Sequence, residues 1–150
     1  MSWYKPRKNK YGVSLESHDK EARTVNGKVC ASMGEARRYK DLLFLEHLGR
    51  IRDLKFQKET FTLAINGVVV AKYRPDYSYV DIEKGSDNVK KTIEDFKGAL
   101  TEEFKMKWAL MHALYGEEYN LLLTGTQYEP RRLNQGNDAK KPRKSTKRSR

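Results

Sequence analysis

The stretch VKKTIEDFKGALTEEFKMKWALMHALYGEEYNLLLTG, residues 89–125, decides the fold class, because it predicts a strand, a helix and a second strand in succession. Thr101 is a candidate N-cap of the helix, and Glu102 and Glu103 suit the positive end of its dipole. The short apolar run YNLLLTG is typical of a buried strand. A strand, a crossover helix and a strand favour a parallel pair within one sheet.

A second helix is predicted upstream by SMGEARRYKDLLFLEHLGR. Ser32 and Glu35 have the spacing of a capping box, and Gly49 is a plausible end of the helix. Before it, VNGKV at residues 25–29 fits a short hairpin, because Asn-Gly favours a tight turn.

Two long strands are predicted between the helices, at residues 53–65 and 68–80, where apolar residues alternate or β-branched and aromatic residues are frequent. Asn66–Gly67 joins them in a tight turn. The predicted order is helix, three strands, helix, strand. We therefore expect an α/β fold with a mixed β-sheet flanked by helices.

The segment TIEDFKG carries more charge than a strand that only packs. Alternation places Asp95 and Lys97 on one face, and Glu94 and Phe96 on the other. We expect Phe96 to pack, and Glu94 to be solvated or paired with a basic tail. Gly98 has no side chain, so a nucleic-acid backbone could approach there.

Two further carboxylates accompany this pair. Asp76 follows Pro75, which lacks an N–H, weakens the strand ladder and so allows Asp76 to face a cleft. Glu35 lies in the first turn of a predicted helix. Carboxylates on neighbouring strands, here Asp76 and Asp95, can share a hard cation such as Mg²⁺, and Lys97 can hold a water or a phosphate oxygen. The pattern favours metal-assisted hydrolysis of a phosphodiester.

Each of these residues also has a structural explanation. Asp76 could be a strand-end residue, Asp95 and Lys97 a surface ion pair of little energetic value, and Glu35 a capping residue. Gln57 could contact substrate or metal-bound water.

The residues Pro75–Asp76 followed by Asp95, Phe96 and Lys97 resemble the motif of the PD-(D/E)xK nuclease superfamily, and the predicted element order resembles its core. Residues 31–125 are similar to a group of small phage-encoded proteins related to Holliday-junction resolvases. This resemblance implies a restriction-endonuclease-like fold and a DNA endonuclease acting on branched DNA. A homodimer would suit a junction with two symmetric strands to cut.

The resemblance also implies residue roles. Asp76 and Asp95 would be ligands of Mg²⁺, for which Mn²⁺ could substitute, and Glu35 would bind the metal directly or through water. Lys97 would position the nucleophilic water or stabilise charge on the phosphate. Two alternatives stay open: a nicking or restriction-like enzyme for linear duplex, and a non-catalytic DNA-binding protein with the same fold.

The net charge of +11 is concentrated at the two ends of the chain. Residues 1–10 carry +4 and residues 131–150 carry +8, which leaves −1 for residues 11–130. Cationic ends bind polyanions by releasing counterions, and nucleic acid is the commonest polyanion. The candidate DNA-binding residues are Arg74, Lys105, Lys107, Arg131, Arg132, Lys140, Lys141, Arg143 and Lys144.

The remaining composition bounds the class of protein. Cys30 is the one cysteine, so an internal disulfide framework is excluded and a reducing cytoplasm is expected, that of a bacterial host if the chain is phage-encoded. No apolar run reaches the roughly 20 residues of a membrane helix. We expect a basic arm at residues 1–28, a nuclease domain at 29–130 and a basic disordered tail at 131–150.

Overall fold

The computed structural model describes residues 17–82 and 89–133 of the 150-residue chain. The helices are α1 (Ser17–Ala22), α2 (Met33–His47) and α3 (Glu102–Tyr115), and the strands are β1 (Thr24–Val25), β2 (Lys28–Val29), β3 (Ile51–Phe56), β4 (Phe61–Ile65), β5 (Val68–Tyr73), β6 (Tyr77–Asp81), β7 (Lys91–Phe96) and β8 (Asn120–Thr124). The predicted DNA-binding residues Lys140, Lys141, Arg143 and Lys144 lie outside the described residues.

The central sheet has the strand order β3-β6-β7-β8. Its neighbours are antiparallel except for β7 and β8, which are parallel and joined by α3. The predicted α/β class, the mixed sheet and the parallel pair are therefore confirmed.

Helices and a hairpin cover the two faces of this sheet. On one face, Tyr39 and Leu42 of α2 are buried in a cluster with Phe56 and Tyr77. On the other face, α3 and the β4–β5 hairpin bury a second cluster around Trp108. The sheet is consequently a middle layer, and side chains on both of its faces are shielded from solvent.

The helix ends follow the predicted signals with one difference. The Ser32 hydroxyl accepts from the Glu35 N–H at 3.1 Å, the Thr101 hydroxyl accepts from the Phe104 N–H at 3.1 Å, and Gly49 has φ +70° after α2. The Glu35 carboxylate, however, accepts from the Ala31 N–H at 3.1 Å. In a capping box this carboxylate would accept from the Ser32 N–H, but here it accepts from the residue before Ser32.

Before α2 the chain forms a short helix and a hairpin, from Ser17 onward. The predicted VNGKV hairpin is confirmed as β1–β2, with Asn26 at φ 49° and Gly27 at φ 71°. Helix α1 was not predicted. Val25 is buried in the α2-side cluster, and the expected boundary between residues 28 and 29 falls within β2.

The prediction of two long strands between the helices is wrong, because each is broken into two. Strand β3 pairs with β6, whereas β4 and β5 pair with each other as a separate two-stranded sheet. Gln57 ends β3 in the left-handed region at φ 47°, and Pro75 has no N–H for a ladder. The Gln57 N–H donates to the Asp76 carbonyl at 2.8 Å and so closes the bend between the two sheets.

Candidate active site

The bend between the two sheets borders a cavity of about 930 Å³. The end of β7 and the first turns of α2 and α3 complete its wall. All four predicted catalytic residues, Glu35, Asp76, Asp95 and Lys97, line this cavity. The fold therefore brings residues from three separate segments to one place: α2, the bend before β6, and the end of β7.

Lys97 joins the two aspartates. Its ammonium group donates to Asp95 Oδ1 and lies 3.9 Å from Asp76 Oδ2. The Asp95 and Lys97 side chains are 2% and 22% exposed, so the alternative of a surface ion pair is wrong for them. Asp76 is 8% exposed. Asp76 Oδ2 also accepts from the Phe96 N–H at 2.9 Å, which orients that carboxylate toward the end of β7.

Glu35 is 4% exposed and is held from two sides. One oxygen accepts from the Ala31 N–H, and the other accepts from the Gln57 side-chain amide at 3.2 Å. Gly34 allows this turn of α2 to approach β7, because a Cβ there would overlap the Phe96 ring. The Glu35 carboxylate therefore accepts a backbone N–H at the start of α2, as a capping residue does, and also lies at the cavity.

Two residues that line the cavity, Tyr73 and Lys72, were not predicted as site residues. The Tyr73 hydroxyl donates to Asp95 Oδ2, while its ring packs near Phe104 and Trp108. Lys72 lines the cavity beside the predicted Arg74. Their position at the end of a strand just before Asp76 is the signal that could have indicated both.

Burial raises the pKa of two carboxyl groups of the site, those of Asp76 and Glu35. The pKa of Asp76 is raised from 3.8 to about 8, first by burial and then by the neighbouring charge of Asp95. Burial also raises the pKa of Glu35, and burial followed by Asp95 raises that of Tyr73. The charged form of Asp76 is disfavoured despite the Lys97 ammonium, so additional positive charge at this place would be favourable.

The donor atoms suit a hard cation, because the three acids offer only oxygen. In the side-chain positions of this structure, no three His, Cys, Asp or Glu residues within 17–82 and 89–133 form a group that could hold a metal ion. The Lys97 ammonium lies where a cation shared by Asp76 and Asp95 would be expected. The residues fit Mg²⁺ chemically, and side-chain movement is needed to complete its coordination.

The prediction that Glu94 is solvated or paired with a tail is wrong. Glu94 is fully buried under α2, where it accepts two hydrogen bonds from Arg38, at 2.6 Å and 2.9 Å. The hydroxyl groups of Tyr79 and Thr124 donate to the same carboxylate at 2.7 Å and 2.9 Å. The alternation of TIEDFKG is correct, but the second face of β7 is covered by a helix.

The predicted DNA-binding residues divide into two groups. Arg74 and Lys107 line the cavity, and Arg74 donates to the Gln57 side chain at 3.3 Å. Lys105 lies away from the cavity and pairs with the exposed Glu102 at 2.7 Å. Arg131 and Arg132 are exposed and are not part of the cavity wall.

In comparisons with known proteins, no family model, no curated protein and no solved structure matches the chain. In the part of the chain that the structure describes, no helix is long and apolar enough to cross a membrane.

Proposed function

We propose that this protein is a Mg²⁺-dependent endonuclease that hydrolyses phosphodiester bonds in DNA, with a restriction-endonuclease-like core. The observation that carries the proposal is the convergence of Glu35, Asp76, Asp95 and Lys97 in one cavity. Three buried carboxylates around one ammonium group are costly for a fold unless they serve a ligand. The resemblance to PD-(D/E)xK nucleases assigns the same four residues.

Asp76, Asp95 and Glu35 would hold the metal, which supplies charge neutralisation at the scissile phosphate and activation of the attacking water. With the aspartates engaged by a metal, the Lys97 ammonium would be released from them and would stabilise the negative charge of the phosphate oxygens. Tyr73 keeps Asp95 oriented through its remaining oxygen. Water attacks phosphorus, the bond to one sugar oxygen breaks, and that oxygen leaves with a proton.

The proposed substrate is branched DNA, such as a four-way junction, cut by a homodimer in the cytoplasm. The resemblance carries this finer part, and the cationic ends of the chain supply attraction to DNA backbones. Arg74 and Lys107 contribute positive charge beside the acids, where the scissile phosphate would lie.

The test compares a labelled four-way junction, a linear duplex and single strands, with and without Mg²⁺. We expect the junction to be cleaved only when Mg²⁺ is present. Asp95→Ala should abolish cleavage while DNA binding is kept. Glu102→Ala, on the exposed side of α3, is the control that should cleave normally.

No cleavage of any of these substrates in Mg²⁺ or Mn²⁺ contradicts the enzyme and leaves the DNA-binding alternative. Equal cleavage of linear duplex supports the nicking or restriction-like alternative in place of a junction enzyme.

A further inference from the structure

A second groove opens beside the active-site cavity, between α3 and β5. Glu103, Met106, Lys107 and Leu110 form its α3 side, at the i, i+3, i+4 and i+7 spacing of one helix face. Val70 and Lys72 belong to its β5 side. Its volume is about 350 Å³.

The groove adjoins the active-site cavity. Lys72, Glu103 and Lys107 line both spaces, so two cationic side chains and one carboxylate stand where the two spaces meet. A strand of DNA whose phosphate lies at the acids would place a neighbouring phosphate at these lysines. Lys107 is paired with Glu103 at 2.7 Å, but Glu103 is 74% exposed, so exchange of this pair for a phosphate costs little.

Beyond the lysines the groove is apolar and accessible. Met106 is 62% exposed and Val70 is 52% exposed, which is unusual for side chains that border one depression. Among the described residues β5 pairs with β4 alone, so its outer edge presents backbone N–H and C=O groups beside the apolar side chains. This combination suits a flat ring with hydrogen-bonding edges, such as a nucleobase.

Resting on the proposed function, we propose that this groove binds one unpaired nucleotide next to the scissile phosphate. Its phosphate lies on Lys72 and Lys107, and its base lies on Val70, Met106 and Leu110. The volume is near the lower end of the roughly 300–1,000 Å³ found for small-molecule sites, which suits one nucleotide. A paired base would first have to leave its stack at a cost of about a few kcal/mol, so DNA with unpaired nucleotides at the cut is preferred.

The experiment measures affinity by fluorescence anisotropy in EDTA, with the full chain and one fixed salt concentration. The probes are a blunt duplex and a forked duplex. The two strands of the fork are unpaired at one end, so that an unpaired 5′ end and an unpaired 3′ end are both present. We expect the forked duplex to bind about five- to tenfold more tightly, because contacts to an unpaired base contribute on this scale. The double variant Val70→Ser and Met106→Ser should lose this preference and keep its affinity for the blunt duplex.

The matched control changes Val68 and Leu114 to serine, since both are exposed apolar residues of β5 and α3 outside the groove. This control should retain the preference for the fork. Lys72→Ala with Lys107→Ala should weaken binding to the fork more than binding to the blunt duplex.

The possible failures are distinct. Equal affinity of the wild type for both probes, or a preference that survives in the serine variant, overturns the groove assignment and leaves the endonuclease intact. If neither probe binds, both the groove assignment and the endonuclease proposal are overturned. Self-association in sedimentation experiments that the serine variant loses, and the control keeps, would instead make the groove a contact with a second copy.

Discussion

Among the three acids Glu35, Asp76 and Asp95, called the acid cluster below, Asp76 shows most clearly the free-energy cost of burying carboxylates close together. It is 8% exposed, and Lys97 is shared between it and Asp95. Burial and the charge of Asp95 together raise its pKa to about 8, so the folded protein retains a proton on Asp76 that the unfolded chain releases near pH 4. A raised pKa contributes stability below the unfolded value and loses it as the pH rises.

We therefore predict that Asp76→Asn becomes progressively more stable than the metal-free wild type between pH 4 and 8. The difference in the free energy of unfolding should grow by at most about 1.4 kcal/mol per pH unit, because one proton is involved. Urea unfolding in EDTA across this range measures it. The Asn side chain keeps an oxygen that can accept from the Phe96 N–H.

Asp41→Asn provides the control, since Asp41 is an exposed carboxyl group on α2. This variant should not reproduce the pH trend of Asp76→Asn, because the side chain that it changes is exposed. The explanation of the Asp76 site is wrong if the Asp76→Asn difference is the same at pH 5 and pH 9.

At the level of elements, Glu94 connects α2 to three strands of the sheet. It lies on β7 and is bonded to Arg38 on α2, Tyr79 on β6 and Thr124 on β8. This buried network holds α2, and with it Glu35, in place above the end of β7. Breaking a buried pair costs about 3–5 kcal/mol because a charge is left without its partner.

We predict that Glu94→Gln lowers the free energy of unfolding by about 3 kcal/mol, measured by urea unfolding at pH 7. Glu102→Gln, which removes the exposed ion pair with Lys105, should have a much smaller effect because solvent screens that pair. Replacing Arg38 by Met and Glu94 by Leu together should restore part of the loss. Equal effects of Glu94→Gln and Glu102→Gln would contradict the structural role of the network.

The elements that local chemistry determines could be predicted from the sequence. The caps at Ser32 and Thr101 and the Asn-Gly turns depend on neighbouring residues, and so does the alternation that separates Glu94 from Asp95. The division of each long strand could not be predicted, because it depends on how the hairpin must bend to cover α3. The same limit applies to the burial of Glu94, which arises from contacts between distant segments.

For the molecule as a whole, charge is distributed in a way that suits a polyanionic partner. The ends of the chain carry +4 and +8, whereas residues 11–130 carry −1 and contain the buried acids. A polyanion attracted by the ends would be repelled by the acid cluster unless cations offset it. Lys72, Arg74 and Lys107 provide part of this charge at the cavity, and the proposed metal would provide the rest.

The central claim is that Glu35, Asp76 and Asp95 hold a divalent metal, and titration of Mg²⁺ into the full chain by calorimetry at pH 8 tests it most directly. We predict metal binding in the wild type and in Asp41→Asn, with affinity lowered at least about tenfold in Asp76→Asn, the scale seen when metal sites lose supporting groups. Equal affinity in Asp76→Asn, or no binding of Mg²⁺ by the wild type, would contradict the claim.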